Sequence, residues 1–204
     1  MSKKPIIVFE GIEGSGKSFH IKCIVNYFKK KKIKFIKIRE PGGSVGSEKI
    51  RKLILNNKSN FNKNTDLLLY LAARSENIQK IINKNYKKKI IIFDRFIDST
   101  IAYQHYGMGV NLDFIRQING YLTKKIKIDF TFINTVNKNN LIKRLKIRKK
   151  LNRYDRFSFP FYNKVQKGYL KIAAKYPKRY MIVNSNLEIE FNKKTIINKI
   201  KKII

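Results

Sequence analysis

The stretch Gly11-Ile12-Glu13-Gly14-Ser15-Gly16-Lys17-Ser18 has the residue types and spacing of a phosphate cradle. Its glycines let the backbone curl so that N–H groups face an anion. Lys17 then brings a positive charge to the β- and γ-phosphates of a nucleotide, and the Ser18 hydroxyl can ligate Mg²⁺. Gly11, Ile12, Glu13, Gly14, Ser15, Gly16, Lys17 and Ser18 are therefore the expected donor-nucleotide contacts. A second chemical pair is Asp94-Arg95. The acid can hold Mg²⁺ directly or through water, and the guanidinium beside it can grip another phosphate through two hydrogen bonds. The simpler alternative is a surface pair of neighbours.

Elements must bring these residues together. Apolar runs predict strands at Ile6–Glu10, Ile33–Ile38, Lys89–Phe93, Phe130–Asn134 and Tyr180–Val183. Between and after them, helical patterns cover Lys17–Lys31, Ser47–Leu55, Thr65–Asn83, Ser99–Tyr106, Leu112–Leu122, Lys138–Lys149, Phe161–Lys175 and Ile189–Lys202. Strands separated by helices give βαβ units and an α/β fold with a parallel sheet. Continuous apolar strands such as Ile90-Ile91-Ile92-Phe93 suit a sheet covered on both faces. Gly11–Ser18, Arg39–Gly43 and Asp94–Arg95 each follow a strand, so they should converge at the carboxyl edge, where such sheets bind ligands.

With 204 residues the chain suits one domain. No apolar run reaches membrane-spanning length, and Met1-Ser2-Lys3-Lys4 leads straight into the first strand, without room for a signal peptide. Cys23 is the only cysteine, so no internal disulfide forms; a buried structural thiol is expected, and the protein reads as cytoplasmic. Lys and Arg number 47 against 13 Asp and Glu, a formal net charge of +34. A nucleic-acid or membrane-surface binder is one reading. Abundant Lys, Ile, Asn, Phe and Tyr, with no Trp, instead match the residue bias of an AT-rich genome, and the lysines are dispersed. We favour compositional drift, so nucleic acid and membrane are not expected partners.

A phosphate loop alone does not name a reaction. A GTPase would carry Asn-Lys-x-Asp; Asn62-Lys63-Asn64-Thr65 and Asn137-Lys138-Asn139-Asn140 lack the aspartate. An ATPase motor would show a strand ending in paired acids, whereas this third strand ends in Asp94-Arg95-Phe96. A phosphate acceptor asks for a cationic acceptor site, and Arg95 supplies the charge.

These motifs resemble the thymidylate kinase family over nearly the whole chain. Glu10–Ser18 is similar to its phosphate loop, and Arg39-Glu40-Pro41-Gly42-Gly43 to its Arg-Glu-Pro-Gly-Gly turn. Tyr70-Leu71-Ala72-Ala73-Arg74 resembles its base-binding helix. Asp94-Arg95-Phe96, with Asp98-Ser99-Thr100 and Ala102-Tyr103-Gln104, resembles its Asp-Arg-Tyr segment. Arg153-Tyr154-Asp155 followed by Phe161 is similar to its lid. The resemblance implies a three-layer P-loop kinase fold with a five-stranded parallel sheet, a small lid over 146–157, and phosphorylation of dTMP by ATP with Mg²⁺. It also implies a homodimer, for which apolar Leu67–Leu71 and Ile78–Ile82 offer indirect support.

The implied roles follow residue by residue. Lys17 follows the transferring group; Ser18 and Asp94 fix Mg²⁺; Arg95, Arg39 and Arg51 hold the dTMP phosphate. Arg51, flanked by Lys49 and Lys52, could instead be a solvated helix face. Glu13 accepts the sugar 3′-hydroxyl. Tyr70 stacks on thymine, Arg74 bonds a base carbonyl, Thr100 and Gln104 meet the base edge, and Tyr103 crowds the 2′ position. For these aromatics the competing reading is core packing. The loop has no arginine between Gly11 and Gly16, so a lid arginine is expected to serve the transition state: Arg153 first, Arg148 second. Phe19, Met108, Thr135, Asn152 and Gln166 depart from the family's usual residues.

Overall fold

The computed structural model describes residues 4–148 and 150–204. Expectations touching Met1, Ser2, Lys3 and Lys149 lie outside the described residues.

Alternation along the first strand, β1 (Ile6–Gly11), fixes the layers. Ile7 and Phe9 pack on one side with Ile21, Ile24 and Phe28 of α1 (Lys17–Lys30) and with Ile196 and Ile200 of α9 (Ile189–Lys201). Ile6 and Val8 pack on the other side with Ile38, Ile78, Ile82 and Phe93. Every β1 residue is buried, as a strand covered on both faces requires. The sheet order is β2-β3-β1-β4-β5, parallel throughout, with β2 at Phe35–Arg39, β3 at Ile90–Asp94, β4 at Phe130–Thr135 and β5 at Tyr180–Asn184. Arg39 and Phe9 both pair with Asp94, and Gly11 pairs with Asn134. The register therefore delivers the phosphate loop, Arg39 and Asp94 to one edge.

The remaining helices are α2 (Val45–Leu55), α3 (Lys63–Asn77), α4 (Asn83–Asn85), α5 (Ile97–Thr100), α6 (Leu112–Thr123), α7 (Lys138–Lys146) and α8 (Phe159–Lys175). Asparagine caps several: Asn62, Asn111 and Asn137 accept backbone N–H bonds at the starts of α3, α6 and α7. Most elements shift by one to three residues at an end, and three departures have a physical reason. The second strand starts at Phe35 rather than Ile33, because the Ile33 N–H is spent on the Phe28 carbonyl at 2.9 Å in the turn after α1. The long helix expected over Thr65–Asn83 changes winding at Ile78–Ile82, which is π-helical. The helix expected over Ser99–Tyr106 is α5 continued by a π-helix over Ile101–Gly107. Hydrophobic spacing tuned to 3.6 residues per turn does not register such widening. Cys23 also departs from expectation: it is half-buried on α1.

Candidate active site

The phosphate loop leaves β1 at Gly11 and enters α1 at Gly16. Gly11, Gly14 and Gly16 have φ of 135°, 66° and 85°, angles that favour glycine. No side chain caps α1, so its first N–H groups point toward the cleft without a competing acceptor. The Lys17 ammonium folds back onto the Gly11 and Ile12 carbonyls at 2.8 and 2.9 Å. Burial, helped by the Arg95 charge, pulls its pKa down to about 7, while Asp94, Glu13 and Glu10 pull the other way. Ser18, one residue on, is exposed and lines the same cleft as Asp94.

That cleft, about 720 Å³, gathers most of the expected residues. Glu13, Gly14, Ser15, Gly16, Lys17 and Ser18 line one end; Arg39, Arg51, Tyr70, Arg74, Asp94, Arg95, Thr100, Tyr103 and Gln104 line the remainder. Gly11 and Ile12 are buried beneath the loop and are absent from the lining. Ser18 and Asp94 offer two oxygen donors, which suits Mg²⁺, an ion that completes its shell with water and phosphate oxygens. Among the described residues no cluster of three or more His, Cys, Asp or Glu side chains could hold a metal without a substrate.

Arg95 sits between the two ends. Its φ is 68°, left-handed and uncommon for a residue with a side chain. Nη2 donates to Glu13 at 2.7 Å and to the Tyr103 hydroxyl at 3.3 Å, and Nη1 donates to Tyr169 and Ser99 at 3.1 and 3.3 Å. Tyr103 also donates a short bond to Glu13. The turn is held from below by Glu10, which is fully buried. Its carboxylate accepts from Phe96 N at 2.8 Å, Ser99 N at 3.2 Å, Ser99 Oγ at 2.5 Å and the Tyr169 hydroxyl at 3.2 Å. Burial raises the Glu10 pKa, and the Ser99 bond and Arg95 charge oppose the rise. Sequence reasoning gave Glu10 no role. The signal was an acid closing an otherwise apolar strand, a position where burial demands partners.

The end of the cleft away from the loop is built from α2, α3 and the π-helix over Ile101–Gly107. Arg51 donates to the Pro41 carbonyl at 2.6 Å and is folded into the cleft, so it is no solvated helix face. Arg39 is about half exposed and bonds Glu48 at 3.1 Å. Arg74 is buried; it donates to Glu40 at 2.8 Å, Asn119 at 2.5 Å and the Phe96 carbonyl at 3.0 Å. Three of its bonds are therefore structural, and its expected base contact has to use what remains. The Thr100 hydroxyl and the Gln104 amide nitrogen are buried in the cleft wall without hydrogen-bond partners. Leaving two such atoms unpaired costs about 1–3 kcal/mol each, and a base edge would satisfy both. Tyr70 meets Tyr154 edge-on at 5.9 Å.

The two lid arginines named from the sequence take different places. Arg153 does not line the cleft; its guanidinium clasps both oxygens of buried Asp66, one at 2.6 Å. Arg148 lines the cleft and is held by Asp155. Arg144, which sequence reasoning passed over, bonds the Gly14 and Ser185 carbonyls at 2.9 and 2.7 Å, beside the loop. Nothing local in a lysine-rich segment marks it. Of the departures, Asn152 caps the lid turn, Gln166 makes two bonds to the Val136 backbone, and Phe19 lines the cleft half-exposed. Leu67, Leu71, Ile78 and Ile82, from the apolar segments offered as indirect support for a dimer, are buried within this chain's own core.

The sequence model of one family, described as thymidylate kinase, matches residues 9–196. The thymidylate kinase of Wolbachia sp. subsp. Brugia malayi is 39% identical over 201 residues, 97% of this chain and 94% of that protein. That of Kosmotoga olearia is 33% identical over 185 residues, 90% of this chain and 89% of that protein. The crystal structure of thymidylate kinase from Ehrlichia chaffeensis aligns with a TM-score of 0.79 at 31% identity, over 98% of this chain and 99% of that one.

Proposed function

We infer function from one premise: the chain belongs to the thymidylate kinase family. It transfers the γ-phosphoryl group of ATP to dTMP, giving ADP and dTDP on the route to dTTP. Mg²⁺ is the cofactor; when bound it neutralises charge on the phosphates, and Ser18 and Asp94 would hold it.

In the residue roles we propose, a dTMP phosphate oxygen attacks the γ-phosphorus and the bond to the β–γ bridging oxygen breaks. Side chains have little covalent work, so position and charge carry the catalysis. Lys17 exchanges the Gly11 and Ile12 carbonyls for phosphate oxygens and follows the moving group. Arg95 exchanges part of its pairing with Glu13 for the acceptor phosphate, assisted by Arg39 and Arg51. Glu13, so released, meets the sugar hydroxyl. Tyr70 covers the base, Thr100 and Gln104 bond its edge, and Tyr103 limits the space beside the 2′ carbon. Arg148 serves the developing charge, since it faces the cleft. Arg153 holds the lid in place.

The observation that carries these roles is the Arg95–Glu13 pair at 2.7 Å, a cation positioned beside the donor loop. Loss of a cationic transition-state contact costs about 10³-fold or more in phosphoryl transfer. Arg95→Ala should lower kcat/KM for dTMP by that factor in an ADP-release assay; a variant within ~3-fold of wild type would remove Arg95 from the reaction.

We further propose that residues 1–204 form one such domain with a lid over 146–157, acting in the cytoplasm as a homodimer. Among the described residues no helix is long and apolar enough to cross a membrane. Exposed Leu68, Phe114 and Tyr121 on α3 and α6 supply apolar surface for a second copy.

A further inference from the structure

Asp66 lies in the first turn of α3, four residues before Tyr70, and is 3% exposed. A buried carboxylate needs partners, and both of those it has come from the lid. Arg153 donates to its two oxygens, and the Tyr154 hydroxyl donates to Oδ2 at 3.1 Å. The Tyr154 ring stands edge-on to Tyr70 and to Tyr103, at 5.9 and 5.8 Å. The next residue, Asp155, accepts from the Arg148 guanidinium and from Asn152 N at 3.0 Å. Arg153, Tyr154 and Asp155 belong to one 3₁₀ turn. One rigid turn is thus fastened at one side to the helix that carries the base-stacking residue, and at the other grips the arginine facing the donor.

We propose that Asp66 is a positioning residue: it anchors the lid turn so that Asp155 presents Arg148 to the transferring phosphate. The role rests on the reading of this cleft as a dTMP kinase site and deepens it. Arg153 Nη2 reaches both Asp66 oxygens and the Tyr154 hydroxyl reaches Oδ2, so two consecutive residues of the turn are tied to one buried carboxylate, which fixes the turn's placement beside the cleft. Without the Asp66 charge the turn loses its anchor, while Arg39, Arg51 and Arg95, expected to hold the dTMP phosphate, bond to residues outside that turn and keep those partners.

The test is a double-mutant cycle between Asp66→Asn and Arg148→Ala, with kcat, KM and calorimetric dTMP binding measured for each protein. Asp66→Asn should lower kcat by ~10- to 100-fold, a large part of what losing the arginine itself costs, and leave dTMP affinity within ~3-fold. In the Arg148→Ala background the same substitution should change kcat by less than ~3-fold, because residues acting through one another are not additive. Tyr154→Phe, which removes one hydroxyl and leaves no charge unpaired, should show the same pattern in weaker form and carries the cycle if Asp66→Asn does not fold. Equal losses in both backgrounds, or unchanged kcat in Asp66→Asn, would overturn the role. A wild-type protein that ignores dTMP would instead sink the functional reading, and this role with it.

Discussion

Lys17 concentrates the physics of the site in one side chain. Its ammonium is buried and, among the described residues, bonded only to neutral oxygens, Gly11 O, Ile12 O and Ser15 Oγ. Burial and the Arg95 charge bring its pKa down to about 7, from an ordinary 10.5. Because the folded value is the lower one, the unfolded chain binds more protons between those limits, and Lys17 weakens the fold increasingly as pH falls through them. A phosphate beside the ammonium would favour its charged form. ATP binding at about pH 8 should therefore take up close to one proton, and at about pH 6 close to none. Calorimetry in buffers of different ionisation enthalpy measures this; equal uptake at both would show that Lys17 is not the group responding. That Lys17, Ser18, Asp94 and Arg95 meet at one cleft was legible from residue order, because the loop after β1 and the pair closing β3 stand at the same edge of the sheet. That Arg148 lines the cleft while Arg153 turns away to Asp66 was not. Asp66, far away in the chain, claims Arg153, and no local pattern announces a long-range ion pair.

At the level of elements, the site depends on a helix that is not regular. The Ile101–Gly107 segment bonds with wide spacing, Met108 N to Tyr103 O at 3.0 Å, and turns Tyr103 and Gln104 inward. Helix α8 lies against it. A Cβ on Gly168 would sit 2.5 to 2.8 Å from Tyr106 Cδ2, Cγ and Cβ, atoms close to the π-helix backbone that cannot swing clear. Alanine favours a helix interior over glycine by about 1 kcal/mol, but overpacking of this kind costs about 1–3 kcal/mol and should win. Gly168→Ala should thus lower the denaturation midpoint and reduce kcat, since Tyr103 moves with the segment; an unchanged midpoint would mean that α8 yields at no cost. The strands were legible because their apolar runs are short and bounded. Both π-helices escaped, as did the extension of the turn through Ile33, since widened bonding and a spent N–H leave residue types unchanged.

Over the whole molecule, the parallel sheet explains why residues from loops and from separate helices meet at all. Its register sets Arg39 and Asp94 level with Phe9, and the cleft opens beyond them. The net charge of +34 adds a field that draws anions toward that cleft without choosing among them. In the roles proposed above, choice falls to the wall where Thr100 and Gln104 hold unpaired polar atoms beside Tyr103. Such a site should discriminate strongly, because a wrong base leaves buried groups unsatisfied. The most direct test is ADP release by the wild-type protein with ATP and Mg²⁺ across dTMP, dUMP, dCMP, CMP and AMP. The account predicts that dTMP gives the highest kcat/KM, at least ~10²-fold above CMP and AMP. Equal rates with CMP or AMP would contradict it.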